Sequence, residues 1–223
     1  MSKAVVPVSG GIDSSVILAY AKTKHTRVFP ITFDYGQRHI KELICAEDQS
    51  GDDFKIVDLS FFRDIASSSS LTNNDIAVAK TKDVLGDAQT VNYVPFRNQM
   101  MLSIACAYAE SMGAETVYHG AALIDSQAGF WDSSIEFLES INNLIALNRK
   151  NKIKIEAPLI DKTKGEIILM GADLNVDYKR TWTCYEGKNK ACGYCTACSS
   201  RIKGFMDVGF RDPLQYERTN IPW

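Results

Sequence analysis

The stretch VSGGIDSS at residues 8–15 decides the fold, because it joins a β-type run to an apolar run of helical spacing. The run before it, Lys3 to Val8, reads KAVVPV, and the apolar periodic stretch after it extends from Ser14 to about Thr23. Two glycines at such a junction let the backbone approach an anion and turn its N–H groups toward it. The stretch therefore predicts a strand, a phosphate-binding loop and a helix.

The loop has a second interpretation, a serine-capped helix that follows a flexible turn. It lacks the Gly-Lys-Ser/Thr of a Walker loop and the Gly-x-Gly-x-x-Gly of a dinucleotide site. Phosphoryl transfer and hydride transfer are therefore poorly supported. Pyrophosphate binding remains as the function that the sequence of this loop favours.

Strand and helix signals alternate along most of the chain, which predicts an α/β fold with a doubly wound parallel sheet. We expect a second strand at 28–33, a buried parallel strand at 54–59, and helices at 132–148, from 163, and from about 198 to 208. Residues 61–93 have no convincing period, and we interpret them as a long loop that is either a substrate lid or partly disordered. Ligands of such sheets bind beyond the strand ends, here residues 9–15, 34–39 and 120–134.

The composition excludes several classes of protein. The 223 residues include 25 basic and 27 acidic ones, and the net charge of −2 argues against nucleic-acid or anionic-membrane partners. No apolar run approaches the roughly 18 residues of a membrane span, and the start of the sequence lacks the features of a secretory signal. We expect a cytoplasmic protein.

Four of the six cysteines lie close together, as Cys184-x7-Cys192-x2-Cys195-x2-Cys198. In a reducing compartment disulfides are improbable, and this spacing favours a tetrahedral, structural Zn²⁺ site. A redox pair or an iron–sulfur cluster is the competing interpretation. Cys45 and Cys106 fall in apolar helical patterns and are expected to be small buried hydrophobes.

The motif Ser9-Gly10-Gly11-x-Asp13-Ser14 resembles that of the PP-loop ATP pyrophosphatases. Other matching segments are TFDYGQRH (32–39), YVPFRN (93–98), APLIDKTKGEI (157–167), TWTCYEG (181–187) and CGYCTAC (192–198). In this order, with a four-cysteine module, they resemble the 7-cyano-7-deazaguanine synthase family, also called the QueC family. The resemblance implies a Rossmann-like fold of the adenine nucleotide alpha hydrolase type, with a nucleotide-binding domain at 1–180 and a small zinc-binding lobe at 181–223.

The resemblance also implies a carbon–nitrogen ligase that uses ATP with Mg²⁺. ATP would adenylate the carboxylate of 7-carboxy-7-deazaguanine, and ammonia would displace AMP to give an amide. A second adenylation, of the amide oxygen, would allow dehydration to the nitrile, with pyrophosphate released each time. The implied partners are these small molecules and a second copy of the chain in a homodimer, without nucleic acid or membrane.

The site residues that the resemblance implies fall into three groups. The implied ATP-binding residues are Pro7, Val8, Ser9, Gly10, Gly11, Ile12, Asp13, Ser14, Ser15, Val16, Ile17, Tyr35 and Gln37. The implied catalytic residues are Asp13, Arg97 and Lys164, and the implied substrate-binding residues are Arg97, Asn98, Phe130, Trp131 and Asp132. Tyr35 and Gln37 are equally suited to anchoring a loop, and Asp13 either places the metal or braces its loop. Glu166, three residues after Thr163, fits a capping box, and His119 is expected to be a buried hydrogen-bonding residue.

The segment GAALIDSQAGFWDSSIEF at 120–137 departs from the family pattern. It retains Asp132 and Glu136 but has Trp131 and Ser133 where proline and cysteine are usual. Asp132 and its aromatic neighbours either recognise a deazapurine or form a helix N-cap beside core residues. Three other functions stay open: a relative that stops at the amide or uses another acceptor, a tRNA-modifying PP-loop enzyme, and a nucleotide-binding module without activity.

Overall fold

Five parallel strands form one sheet in the computed structural model, which describes residues 2–81, 90–148, 150 and 152–223. In chain order they are β1 (Lys3–Pro7), β2 (Arg27–Asp34), β3 (Lys55–Asp58), β4 (Thr116–Tyr118) and β5 (Lys154–Glu156). Their order in the sheet is β3-β2-β1-β4-β5. The chain winds outward from β1 to β3 and then returns to the other side of β1. The switch point between β1 and β4 is where sheets of this kind bind ligands.

Helices cover both faces of the sheet. They are α1 (Ile12–Lys24), α2 (Lys41–Ser50), α3 (Phe62–Ile65), α4 (Arg97–Met112), α5 (Leu123–Gln127), α6 (Ile135–Ile145), α7 (Lys164–Asp173) and α8 (Thr196–Asp207). Alternate residues of β1 serve opposite faces: Val5 packs in the core under α4 and α6, whereas Ala4 and Val6 pack in the core under α1 and α7. The doubly wound α/β sheet predicted from the sequence is confirmed.

The strand expected to be buried at 54–59 lies instead at the edge of the sheet. Lys55, Ile56 and Asp58 of β3 are exposed, so the prediction of burial is wrong. An apolar run of a few residues does not distinguish a central strand from an edge strand, because that depends on which strands pair with it.

The helix expected at 132–148 is shorter, and Asp132 does not cap it. The Oγ atom of Ser134 accepts the backbone N–H of Phe137 at 3.0 Å and fixes the start of α6. Asp132 lies in the preceding 3₁₀ helix, Trp131–Ser133. The interpretation of Asp132 as a helix N-cap is therefore wrong.

The segment at 61–93 is packed over much of its described length. Ser69, Ser70 and Leu71 are buried, and the Leu71 carbonyl oxygen accepts the backbone N–H of Arg38 at 2.9 Å. It also contains the short helix α3. The part of the predicted lid at residues 82–89 lies outside the described residues.

The C-terminal helix α8 packs against α7, and Phe205 joins the core between them. The capping box predicted for Thr163 and Glu166 is present at the start of α7. The domain boundary after residue 180 stays a prediction. Nowhere in the described ranges does a helix combine the length and the apolar character needed to cross a bilayer.

Candidate active site

The loop between β1 and α1 is pressed against the start of α2. Gly10 has a φ of +80°, and a Cβ atom built on it would lie 2.2 Å from the carbonyl oxygen of Glu42. Only glycine fits both this backbone conformation and this approach. The Gly10 carbonyl oxygen also accepts the backbone N–H of Trp182 at 2.8 Å. Two distant segments thus hold the loop in place.

The start of α1 is left open by the side chains around it. Gly11 takes the N-cap position, and no side chain of the described residues caps the helix. Ser15 Oγ donates to the Gly11 carbonyl oxygen at 2.6 Å, and Ser14 Oγ lies 3.1 Å from Ser9 Oγ. The serine-capped-helix interpretation is therefore wrong. Uncapped N–H groups at the positive end of a 13-residue helix form an arrangement that binds phosphate.

Lys164 meets Asp13 beside this loop, although the two are 151 residues apart. The Lys164 Nζ atom lies 2.6 and 2.7 Å from the two carboxylate oxygens of Asp13. Both side chains are only partly exposed, 12% for the lysine and 26% for the aspartate. The capping box fixes the first turn of α7, which carries Lys164. A cation therefore stands next to the uncapped helix start, where it favours anionic phosphate.

The loop after β2 is anchored by Gln37. Its side-chain oxygen accepts the Tyr35 backbone N–H at 2.9 Å, and its nitrogen donates to the Phe33 carbonyl oxygen and to the Glu42 carboxylate. The buried amide of Gln37 is thus engaged at both ends, as the loop-anchor interpretation requires. Burial raises the pKa of Tyr35 to about 12, so its hydroxyl stays protonated at neutral pH.

Arg97 opens α4 directly after Phe96, whose φ of 54° is unusual for a residue with a side chain. Its guanidinium donates to the Tyr35 hydroxyl at 3.2 Å and to Asn98 Oδ1 at 3.3 Å. It lies deep in the fold yet remains partly accessible, and no carboxylate of the described residues forms an ion pair with it. Such an arginine is suited to bind an external anion through its planar fork.

Asp132 lies near Arg97, with 3% of its surface exposed. Burial raises the pKa of Asp132, while the positive charge of Arg97 opposes that rise. The ring Nε2 of His119 hydrogen-bonds the backbone carbonyl oxygen of Asp132 at 2.9 Å. Burial lowers the pKa of His119, so the neutral ring donates this bond. His119 is the buried hydrogen-bonding residue that the sequence predicts.

The aromatic residues next to Asp132 form a cluster in which Trp131 is already engaged. Trp131 Nε1 donates to the Tyr93 hydroxyl at 2.8 Å, and its ring meets those of Phe96 and Phe137 edge-on. The Phe130 ring lies 6.2 Å from that of Tyr93, with 31° between their planes. Trp131 is thus held by its neighbours, and Phe130 packs beside Tyr93.

The four clustered cysteines are buried, and their sulfur atoms all lie within 4.8 Å of one another. Cys192 Sγ is 3.9 Å from Cys198 Sγ, close to the roughly 3.8 Å edge of a tetrahedron with 2.3 Å Zn–S bonds. Backbone N–H groups point at the sulfurs of Cys184, Cys192 and Cys195 at 3.3 to 3.4 Å, which stabilises thiolates. The site therefore fits a four-thiolate metal ion. It connects to the glycine loop, because Trp182 bonds both the Gly10 and the Cys184 carbonyl oxygens.

Residues 3–209 match the profile of the family described as "Queuosine biosynthesis protein QueC". The chain belongs to the QueC family. Three curated relatives are each named "7-cyano-7-deazaguanine synthase". The relative from Thermoplasma volcanium is 44% identical, and the match covers 97% of this chain and 91% of the relative. The relative from Clostridium kluyveri is 40% identical, and the match covers 97% of this chain and 99% of the relative. The relative from Caldicellulosiruptor bescii is 41% identical, and the match covers 99% of this chain and 100% of the relative.

A solved structure supports the fold of this QueC family chain. The NMN synthetase of Francisella tularensis superimposes with a TM-score of 0.50 and 12% identity, over 94% of this chain and 78% of that one. At this identity the likeness concerns the fold alone.

Two further residues of this QueC family chain lie at the candidate site, although the sequence did not predict them as site residues. Tyr93 orders the aromatic cluster, and only its place in the segment YVPFRN marked it. Asp125 lies on α5, after β4, and burial raises the pKa of its carboxyl group to about 6, with Lys164 opposing that rise. Its signal was its position beyond a strand end, within the segment 120–134 already expected to bind ligand.

Proposed function

We propose that this chain converts 7-carboxy-7-deazaguanine, ammonia and ATP into 7-cyano-7-deazaguanine, with release of AMP and pyrophosphate. The observation that carries the proposal is the placement, beyond the ends of the parallel strands, of the uncapped start of α1 and of Arg97, which forms no ion pair with a carboxylate of the described residues. Similarity over nearly the whole length to relatives named for this product supplies the identity of the substrate.

Each part of this proposed active site has a distinct task in the reaction. The loop at residues 9–15 and Lys164 hold the β- and γ-phosphates and stabilise the negative charge of departing pyrophosphate. Arg97 binds the substrate carboxylate and turns one oxygen toward the α-phosphorus atom. Asp132 accepts hydrogen bonds from the N–H edge of the base, and Phe130 flanks its ring. Asp13 holds Lys164 in place.

The metal in the cysteine site is Zn²⁺ in this proposal, because the four sulfur atoms lie as close together as the ligands of one tetrahedral ion. Four thiolates leave no open position for catalysis, so its role is structural. The zinc orders the segment that carries Trp182 and thereby supports the glycine loop. Mg²⁺ enters with ATP. We further propose a cytoplasmic homodimer that binds no nucleic acid, in line with the net charge of −2 and with the exposed Phe210 and Trp223 near the C-terminus.

The test is to incubate the purified protein with 7-carboxy-7-deazaguanine, ammonia and Mg·ATP, and to identify the products by mass spectrometry. We expect the nitrile, with two AMP molecules formed for each. An amide that accumulates without nitrile would make the chain an amide-forming relative. No ATP-dependent loss of the carboxylate would contradict the proposal.

The matched variants are Lys164→Met and Lys203→Met. Removing Lys164 should lower kcat/KM for ATP by about 100-fold or more, because its charge faces the phosphates. Lys203 forms an exposed pair with Asp207 on α8, and its loss should leave turnover unchanged. Equal activity of the two variants would contradict the placement of ATP at the glycine loop.

A further inference from the structure

The guanidinium of Arg97 is held by two side chains of the described residues, and these differ in where they come from. Its Nε atom donates to Asn98 Oδ1 at 3.3 Å, and its Nη1 atom donates to the Tyr35 hydroxyl at 3.2 Å. Asn98 is the next residue of α4 and moves with Arg97. Tyr35 directly follows β2, 62 residues away in the sequence. The contact with Tyr35 therefore fixes the guanidinium relative to the sheet.

Tyr35 is a rigid support for this contact. It is 3% exposed and packs in the core cluster that also contains Phe33 and Leu71. A tyrosine side chain has few torsions, so a buried tyrosine places its hydroxyl with little freedom. The central carbon of the Arg97 guanidinium also lies 5.6 Å from the centre of the Tyr35 ring, close enough for the ring to attract a cation. The ring and its hydroxyl thus both restrain Arg97.

The turn that carries Tyr35 is itself fixed by side chains. The Tyr35 backbone N–H donates to Gln37 Oε1 at 2.9 Å, and the Gly36 backbone N–H donates to Asp34 Oδ1 at 3.1 Å. Gln37 Nε2 donates in turn to the carboxylate of Glu42, on α2, at 3.1 Å. The protein itself therefore determines where the Tyr35 hydroxyl lies.

The guanidinium keeps N–H groups for a ligand. An arginine side chain carries several N–H donors in a planar fork, and Asn98 and Tyr35 engage only the Nε and Nη1 atoms. The Nη2 atom donates to none of the residues that the structure describes. A carboxylate binds such a fork through two parallel hydrogen bonds, which require a defined plane. Holding a long, flexible side chain in that plane beforehand increases its affinity for the ligand.

We propose that Tyr35 is a positioning residue for the substrate carboxylate, because its hydroxyl holds the fork of Arg97 in the plane that receives it. This inference rests on the function proposed above. It assigns Tyr35 to the carboxylate rather than to ATP, for which the resemblance implies it. Tyr35 acts on the first adenylation through Arg97 alone. Loss of its hydroxyl should therefore impair the use of the carboxylate and leave ATP binding unchanged.

The test is Tyr35→Phe, which removes the hydroxyl and retains the ring. The assay is the exchange of labelled pyrophosphate into ATP that requires 7-carboxy-7-deazaguanine, with the kinetic constants measured for each substrate. We expect kcat/KM for the carboxylate to fall about tenfold or more, the equivalent of one hydrogen bond to a charged group, with an unchanged KM for ATP. A raised KM for ATP with unchanged use of the carboxylate would make Tyr35 an ATP-binding residue and overturn the inference.

Tyr118→Phe is the matched control. Tyr118 is 2% exposed, and its hydroxyl hydrogen-bonds His25 Nε2 at 2.9 Å. It packs on the face of the sheet opposite to Tyr35 and has no contact with Arg97. The control thus loses a comparable buried hydrogen bond, and its kinetic constants should match wild type. An equal fall in kcat/KM for the carboxylate in both variants would show a general loss of stability and overturn the positioning role.

A double-mutant cycle with Arg97→Met separates an effect that passes through Arg97 from an independent one. The quantity measured is the dissociation constant of 7-carboxy-7-deazaguanine, by titration calorimetry with Mg²⁺ and the non-cleavable analogue α,β-methylene-ATP. Arg97→Met alone should weaken binding, and adding Tyr35→Phe should weaken it no further, because the group that Tyr35 positions is already absent. Losses that multiply in the double variant would contradict an action through Arg97.

The outcomes separate this inference from the proposed function. A Tyr35→Phe variant with the wild-type kcat/KM for the carboxylate overturns the role of Tyr35 alone. A wild-type protein without carboxylate-dependent exchange overturns the proposed function, and the role of Tyr35 with it.

Discussion

The two sides of the proposed active site, here called its walls, are stabilised by contacts of different range. The proposed nucleotide wall, residues 9–15, contains a local network of hydrogen bonds: Ser9, Gly11 and Ser14 bond one another across at most five residues. The far wall, residues 120–134, is held by Tyr93, which is 38 residues from its partner Trp131, and by His119. The nucleotide wall thus adds a local hydrogen-bond network to its contacts with α2 and Trp182, whereas Trp131 of the far wall is held by a partner distant in sequence.

This difference implies that the walls respond separately to substitution. The outside contacts of the nucleotide wall come from α2 and from Trp182, and those of the far wall come from the aromatic cluster. A change in the support of one wall should alter the KM of its own ligand and spare the other. The following substitutions test that separation.

Cys195→Ser should have the largest effect, because it removes a ligand of the proposed zinc site, which is linked to the nucleotide wall through Trp182. Serine is itself a good N-cap, so the cap of α8 is retained and the loss is that of the metal. We expect loss of the zinc and of several kcal/mol in the free energy of unfolding, a fraction of the roughly 10–16 kcal/mol that structural zinc supplies.

Metal analysis and urea denaturation measure both quantities. The control is Cys106→Ser, a half-buried cysteine of α4 outside the cluster, which should keep the metal. Unchanged zinc content in Cys195→Ser would show that the four-ligand assignment is wrong.

Gly10→Ala should have the next largest effect, and it acts on the nucleotide wall directly. The added Cβ atom would meet backbone of α2 rather than a flexible side chain, so the loop or the helix must move. We expect a loss of about 3 kcal/mol in the free energy of unfolding and a large rise in the KM for ATP.

Gly51→Ala is the control that separates the cost of the steric clash from the cost of the backbone conformation. Gly51 has the same φ of +80°, but its Cβ atom would have no neighbour within 4 Å among the described residues. It should lose only the conformational term of about 1–3 kcal/mol and leave ATP binding intact. Equal ATP binding by the two variants would mean that the approach of α2 does not shape the nucleotide wall.

The same difference explains what the sequence could predict. The doubly wound sheet, the glycine loop and the capping box of Thr163 and Glu166 follow from periods and spacings within a few residues. The four cysteines also lie within fifteen residues of one another, and their spacing was enough to place them together.

The predictions that were wrong or incomplete concern contacts that the spacing of residues along the sequence does not indicate. The exposure of β3 depends on its being the last strand of the sheet, and the start of α6 depends on Ser134 rather than Asp132. The pairing of Lys164 with Asp13 spans 151 residues, so the sequence suggested each residue but not their contact.

Tyr93→Phe should have the smallest effect, and it tests the far wall. The hydroxyl of Tyr93 accepts Trp131 Nε1 at 2.8 Å and the backbone N–H of Phe96 at 3.3 Å, so its loss leaves both donors without this acceptor. We expect a loss of about 1 kcal/mol in the free energy of unfolding, because water replaces part of the bond at a partly exposed site.

The kinetic consequence of Tyr93→Phe distinguishes the two walls. Loosening Trp131 and Phe130 should raise the KM for the carboxylate substrate by about fivefold, the equivalent of 1 kcal/mol, while the KM for ATP stays unchanged. The control is Tyr108→Phe, whose ring meets Phe29 edge-on in the packing of α4 against the sheet, and which should change neither KM. An equal rise in both KM values for Tyr93→Phe would mean that the walls are coupled, because only a shared structural element transmits such a change to the glycine loop.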